Sequence, residues 1–411
     1  MSNWANPLPS DMKTTRTKAV LDIDLSDPGP IPEKTIDDAV ALMRTGRLHR
    51  YGEFAKSEPH VALFEEEFAS YLGSKYAVAV NSGGAALFLA LKVANIGPGD
   101  NVLVNAFNLA PVPGAIDHVG AKPVPVETCG DFLINLEDLE QLASRNQAGA
   151  LLLTHMRGHI ANMQEVMRVC GQSGLSLIED CAHTMGAKWD GQFTGRFGQL
   201  GCFSTQSYKH INSGEGGILV TDDADMAARA ILYSGSYMFY EQHRSIPPAE
   251  VFGKWEQQIP NYSMRMSNLT ACLLRDQLAR IPERTGIWNE RYRWLESRLN
   301  QVPDIVVPVR DPREEFVGSS IQFHLNLPPE KIDRIVDGCS KRKVAIKWFG
   351  HKHPVGYTSQ YFHWGYMEPS SLDDTLQTLS TTCDMRIPLA LTEKHADTIA
   401  EIISEEIELA T

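Results

Sequence analysis

Lys209 lies in Phe203-Ser-Thr-Gln-Ser-Tyr-Lys209-His-Ile-Asn-Ser-Gly-Glu-Gly-Gly217, a loop of hydroxyl and amide side chains that closes on a glycine-rich turn into the apolar run Ile218-Leu219-Val220. Taken alone, such a lysine reads as a solvated loop charge. The segment before it changes that reading, because Leu175-Ser-Leu-Ile-Glu-Asp180 has the pattern of a buried strand ending in two acids, followed by Cys181-Ala-His-Thr-Met-Gly-Ala187. A third stretch, Tyr76-Ala-Val-Ala-Val80, Asn81-Ser-Gly-Gly84 and the apolar run Ala85 to Val93, reads as strand, glycine turn and helix N-terminus. Unpaired N–H groups and the positive end of the helix dipole meet there, which makes an anion site; a plain strand-to-helix turn is the alternative for this motif by itself. We assign a phosphate to Ser82, Gly83 and Gly84, a ring-nitrogen contact to Asp180 and an imine-forming amine to Lys209. These are the three anchors that pyridoxal 5'-phosphate requires.

The elements that must position these groups follow a simple rhythm. Helical spacing is predicted over residues 31 to 43, ending at Gly46, and over Val61 to Leu72. Short apolar strands are predicted at 76 to 80, 101 to 104, 148 to 154 and 175 to 180, with helices between them, including one around Met163 to Cys170. Such alternation favours a mostly parallel sheet covered on both faces, with ligands outside the carboxyl ends of the strands. There fall Asn81 to Gly84, Phe107, Asp180 and the Lys209 loop. Residues 234 to 263 carry Tyr237, Phe239, Tyr240, His243, Phe252, Trp255 and Tyr262, a stretch too long for an ordinary connection and therefore a functional or interface segment. A long helical region from Ser267 to Leu299, a strand at Ser320 to Leu327, and helices at Pro329 to Lys341 and Glu393 to Glu408 complete a smaller lobe. The expected organisation is an N-terminal arm over 1–30, a large domain over 31–265 and a small C-terminal α+β domain over 266–411.

A chain of 411 residues with 43% hydrophobic and 22% charged residues has the composition of a globular protein with room for two lobes. Its formal net charge of -13 argues against nucleic acid or an anionic membrane as partner. Seven scattered cysteines, with no C-x-x-C pair, suit a reducing compartment and suggest neither a disulfide framework nor a zinc site. No cationic start leads into an apolar block and no apolar run approaches about 18 residues, so a cytoplasmic location is expected.

The chain resembles the DegT/DnrJ/EryC1/StrS family of pyridoxal-phosphate aminotransferases of keto-sugars and keto-cyclitols. The resemblance runs from about Pro30 to the C-terminal helix and rests on Phe64-Glu65 through Ser82-Gly83, on Gly97-Pro-Gly-Asp100, on Glu179-Asp-Cys-Ala-His183 with Gly186-Ala187, and on Phe203-Ser204 through Lys209 to Gly217; Arg265-Met266-Ser267 and Arg386-Ile-Pro-Leu389 extend it. It implies an α/β transferase of fold type I and a homodimer whose active sites are shared. By the same resemblance Lys209 carries the cofactor, Asp180 pairs with its ring nitrogen, Ser204 joins Ser82, Gly83 and Gly84 at the phosphate, and His183 lies beside the ring. The substrates it implies are a small-molecule amino donor, glutamate or glutamine, and a keto-sugar, keto-cyclitol or similar acceptor.

The sequence departs from the family pattern in three places. Leu109 stands where an aromatic residue usually stacks on the ring, so either Leu109 covers it or Phe107 takes over. Ser263, two residues before Arg265, replaces an asparagine that reaches the phosphate of the neighbouring subunit. The proline-leucine-histidine element of the small lobe is not clear in Trp348-Phe-Gly-His-Lys-His-Pro354. His155 with His159, or His351 and His353 with His363, lack the carboxylate or cysteine that would complete a metal set at suitable spacing. A sugar dehydratase of the same fold is a second reading, disfavoured because such branches replace the lysine; a non-catalytic regulator is a third, and it has no need for Lys209 and Asp180 together.

Overall fold

Seven short aliphatic strands build the larger sheet of the computed structural model, which describes residues 19–52, 59–145, 148–367 and 370–410; residues 1 to 18 of the expected arm lie outside it. In chain order the strands are β1 (Tyr76–Val80), β2 (Asn101–Asn105), β3 (Lys122–Val126), β4 (Ala148–Thr154), β5 (Ser176–Asp180), β6 (Leu200–Ser204) and β7 (Gly217–Thr221). They lie in the order β1-β7-β6-β5-β4-β2-β3. β7 is antiparallel to both its neighbours, whereas the pairs β6/β5, β5/β4, β4/β2 and β2/β3 are parallel. The carboxyl ends of β1, β2, β4, β5 and β6 therefore open on one edge, as expected for a doubly wound sheet.

These strands read as continuous apolar runs because both faces are covered. Val78 and Val80 of β1 face one core with Leu89, Val104, Leu152 and Ile178, while Ala77 and Ala79 face another with Phe64, Phe68, Phe203 and Leu274. Helices α1 (Glu33–Thr45) and α2 (His60–Leu72) end where expected, each on a left-handed glycine, Gly46 and Gly73. Glu65, an acid on the buried face of α2, is a structural tie. Its carboxylate accepts both Arg50 Nη groups at 2.9 Å and the Ala79 amide at 2.8 Å, so it fastens the α2 face to β1.

A second, smaller sheet is antiparallel: β8 (Ile305–Val306), β9 (Ser320–Leu325), β10 (Lys347–Trp348) and β11 (Thr382–Arg386), in the order β8-β9-β11-β10. The helices Pro329–Lys341 and Glu393–Ala410 cover it. The single helical region expected from Ser267 to Leu299 is two helices, Asn268–Ala279 and Ile281–Leu299. They meet at Arg280 with Pro282 in the first turn of the second, a position where proline, having no N–H to donate, begins a helix more readily than it continues one. No helix among the described residues is long and apolar enough to cross a membrane.

Candidate active site

The turn after β1 leads directly into helix α3 (Gly83–Val93). Ser82 is its N-cap, with φ -163 and ψ 161, and its Oγ accepts the Ala85 N–H at 3.0 Å. The leading amides of Gly83 and Gly84 thus sit at the positive end of the helix dipole. Glycine is required here by packing: a Cβ on Gly83 would lie 2.9 Å from Ser204 Cβ, and one on Gly217 would lie 2.2 Å from the Ser82 carbonyl oxygen. The sheet edge, the small sheet and the loops between them enclose a cavity of about 500 Å³, lined by Ser82, Gly83, Gly84, Asp180, His183, Ser204 and Lys209 among others. With Leu109, which also lines it, eight of the expected site residues are therefore brought together.

Lys209 Nζ is 2.8 Å from His183 Nε2. His183 Nδ1 accepts the Arg157 backbone N–H at 3.2 Å, which puts the single proton of a neutral imidazole on Nε2. That proton points at Lys209 and needs a lone pair to meet, so the hydrogen-bond pattern fits a neutral amine. Electrostatics agree: burial first, and then the field of Arg157, lowers the Lys209 ammonium to about 7. Burial, then Lys209, likewise holds the His183 imidazolium well below its usual range.

Asp180 ends β5, 5% exposed. Its Oδ1 accepts the Ala182 N–H at 3.0 Å and its Oδ2 the Thr154 hydroxyl at 3.4 Å. Thr154 is itself fixed, its Oγ1 accepting from Asn108 Nδ2 at 3.0 Å and its N–H donating to Asn105 Oδ1 at 2.9 Å. Burial pushes the Asp180 carboxyl up, and among the described residues no basic side chain forms an ion pair with it. A buried acid in this condition needs a cation, which a protonated ring nitrogen supplies. The neighbouring acid Glu179 plays a different part: it accepts the backbone N–H groups of Gly195, Phe197 and Gly198, each at 2.8 Å, and lies 3.1 Å from His155 Nε2. His155, Glu179 and Cys181 lie together, but these hydrogen bonds make Glu179 the anchor of the 195–198 turn.

Of the two candidates for covering the ring, Leu109 lines the cavity, whereas Phe107 is packed in a core with Phe132, Met156 and Phe349. Phe107 follows β2 at a position whose side chain points into the protein, so chain proximity to the sheet edge was a poor guide. Ser263 lies outside the cavity of its own chain, in the left-handed region at φ 57, with its N–H donating to Asn261 Oδ1 at 2.9 Å. The residues missed by sequence reasoning are Asn108, Thr154, Arg157, Tyr208 and Arg386, all of which line the cavity. Thr154 carried a signal, a hydroxyl at the carboxyl end of an otherwise aliphatic strand, and Tyr208 and Arg386 stood inside quoted motifs with no role assigned to them.

The sequence model of the DegT/DnrJ/EryC1/StrS aminotransferase family matches residues 34–404. The chain is 34% identical over 247 residues to 3-amino-5-hydroxybenzoate synthase of Amycolatopsis mediterranei, covering 60% of this chain and 61% of that protein. It is 32% identical over 264 residues to GDP-perosamine synthase of Caulobacter vibrioides, covering 64% and 66%. The chain thus spans less than two thirds of the length of these relatives. Among solved structures, S. venezuelae DesV in complex with a ketimine intermediate superposes with a TM-score of 0.79 at 26% identity, covering 95% of this chain and 99% of that one. A match over nearly the whole chain, with a fold and a site that agree with it, means that this protein belongs to the DegT/DnrJ/EryC1/StrS family of pyridoxal-phosphate-dependent aminotransferases.

Proposed function

We propose that the protein moves an amino group from glutamate or glutamine to a carbonyl on a sugar, cyclitol or similar polyhydroxylated acceptor. The observation that carries this reading is the meeting, in one cavity, of a lysine lowered to about 7, a buried acid with no ion pair among the described residues and a helix N-terminus. The acceptor class rests on the family and on relatives such as GDP-perosamine synthase. When bound, pyridoxal phosphate supplies an electron sink that makes a proton beside the substrate nitrogen removable. Lys209 would hold the cofactor through Nζ, and the same Nζ, as a neutral amine, would take up and return that proton. His183 steadies the free amine through its Nε2–H. Asp180, fixed by Thr154 and Ala182, keeps the ring nitrogen protonated. Ser82, Gly83, Gly84 and Ser204 bind the phosphate, and Leu109 closes one side of the cavity against water.

Half-reactions followed by cofactor absorbance test this reading. With a panel of donors, glutamate or glutamine is expected to convert the cofactor to its amine form, and a keto-sugar or keto-cyclitol to convert it back. Turnover confined to simple α-keto acids would remove the acceptor class.

The working form that we propose is a homodimer with shared sites. Tyr237, Met238 and Phe239 are 55%, 53% and 50% exposed in a single chain, and all of 237 and 238 lies in left-handed backbone. Arg265 stacks 4.8 Å over the Tyr237 ring and bonds to Ser263, placing the Ser263 cluster on this same apolar surface. Sedimentation equilibrium is expected to give a dimer, and substituting Tyr237 and Phe239 with Ser to weaken it. A fully active monomer would overturn the proposal.

A further inference from the structure

We infer that Arg157 and Arg386 form a second anion subsite in the cavity, one that receives a carboxylate of the substrate. The inference deepens the aminotransferase reading and rests on it. The small sheet reaches the cavity through Arg386, and Arg157 lines it as well. In β11, Cys383 and Met385 enter the core, so Asp384 and Arg386 share the opposite face. Register adds Lys347 and Gln322, both paired with Asp384, and Ser320, paired with Arg386. Arg157 meets this face from the larger sheet, its Nη2 3.3 Å from Asp384 Oδ2.

The charges on this face do not balance. Asp384 accepts from Gln322 Nε2 at 2.7 Å and lies 3.3 Å from both Arg157 and Lys347, so one carboxylate is shared by two cations. Arg386 forms no ion pair among the described residues; its guanidinium lies 4.1 Å from the Tyr208 ring centre and donates to the Tyr208 carbonyl at 3.4 Å. The other acids lining the cavity are Asp180, whose partner is the ring nitrogen, and Glu215, exposed at the rim. Arg157 is 7% exposed, and its Nε has no hydrogen-bond partner among the described residues. It also occupies left-handed backbone, φ 55 and ψ 24, a conformation that is strained for a residue with a Cβ. Three cations for one carboxylate, one of them buried with a donor unmet among the described residues, describe a site completed by an anion.

The cofactor phosphate has its own site at the start of α3, so a different anion is required. A carboxylate suits the planar guanidinium forks of arginine. Arg386 bonds to the backbone of Tyr208, next in sequence to Lys209, so the carboxylate would lie close to the reacting amine. It comes either from the amino donor or from an acid group on the keto acceptor.

Succinate, which cannot react, is the first probe, with neutral succinamide as control, each titrated calorimetrically into the cofactor-loaded protein. Succinate is expected to bind wild type at least tenfold more tightly than Arg386→Gln or Arg157→Gln, with Arg386→Lys between, and succinamide to bind all four weakly and alike. The half-reactions then separate the sources. A rise of at least tenfold in KM for glutamate in Arg386→Gln assigns the site to the donor; an unchanged donor step with a slowed acceptor step assigns it to the acceptor. Equal succinate affinity in wild type and Arg386→Gln overturns the subsite, and Arg386→Gln decides even where Arg157→Gln fails to fold. Loss of the aminotransferase reading has a different signature, since wild type would then transfer no amine from any donor, while succinate binding would still report on the arginines.

Discussion

Lys209→Ala is expected to lose covalent attachment of the cofactor and to lower transamination by at least about 10⁴-fold, the upper range for a positioned proton carrier. Lys209→Arg should fail as badly, since it keeps the charge and cannot form an imine. Borohydride reduction of the wild-type holoenzyme followed by peptide mapping should label Lys209 alone; a label on another lysine would refute the assignment. The depressed titration adds a pH signature. Only the neutral amine reacts, and burial brings it within reach of neutral pH, so cofactor capture by the apoprotein should accelerate as pH rises through about 7 and level off above it. A rate still climbing toward 10.5, the ordinary lysine value, would show that the cavity does not tune the amine. Linkage gives a second test with a fixed sign. Between about 7 and 10.5 the unfolded chain binds a proton that the folded chain does not, so this group makes apoprotein stability fall as pH drops through that window. Urea midpoints of Lys209→Ala should lack that part of the slope.

The strands at 76–80, 101–105, 148–154 and 176–180 were legible because they are buried on both faces, and an uninterrupted run such as Ala148 to Thr154 has few other readings. β6, which carries Ser204, was not predicted, and the strand order was not read from the sequence at all. The expectation that the three anchors share one edge came from the rule that ligands gather at strand carboxyl ends. β11 was missed for the opposite reason. Thr382-Cys-Asp-Met-Arg386 alternates polar and apolar, which in a lone sequence resembles an exposed edge, yet it lies between β9 and β10, with Thr382 and Asp384 buried and Arg386 lining the cavity. Arg157 was hidden because its place depends on two successive left-handed residues, Arg157 and Gly158, which no periodicity encodes. Residue type alone did not separate Glu179 from Asp180, two acids ending one strand; the family resemblance picked out Asp180. The packed structure gives the physical reason, since Glu179 meets the backbone donors of the 195–198 turn and Asp180 lines the cavity.

Asp180→Asn is expected to lower turnover on the order of 10²- to 10³-fold, the size of removing one preorganised electrostatic partner. The substitution keeps the shape of the side chain: its oxygen can still accept the Ala182 N–H, and its amide can donate to Thr154 Oγ1 where the carboxylate accepted. What it removes is the charge that favours a protonated ring nitrogen, and with it the electron demand on which proton transfer to Lys209 depends. Cofactor should still attach at Lys209, so the reduced, labelled peptide should be the same as in wild type, which separates this variant from a lysine variant. The apoprotein should respond in the other direction. Burial raises the folded Asp180 carboxyl above its free value of 3.8, so its contribution to stability is greatest below that value and is lost as pH rises toward the folded one. At neutral pH burial therefore costs the wild-type apoprotein stability that an uncharged amide does not lose, and Asp180→Asn should unfold at a higher temperature than wild-type apoprotein, while adding cofactor should raise the Tm of wild type more than that of the variant. A variant as active as wild type would remove Asp180 from the mechanism, and a variant apoprotein less stable than wild type would show that the carboxylate already has a partner within the folded chain.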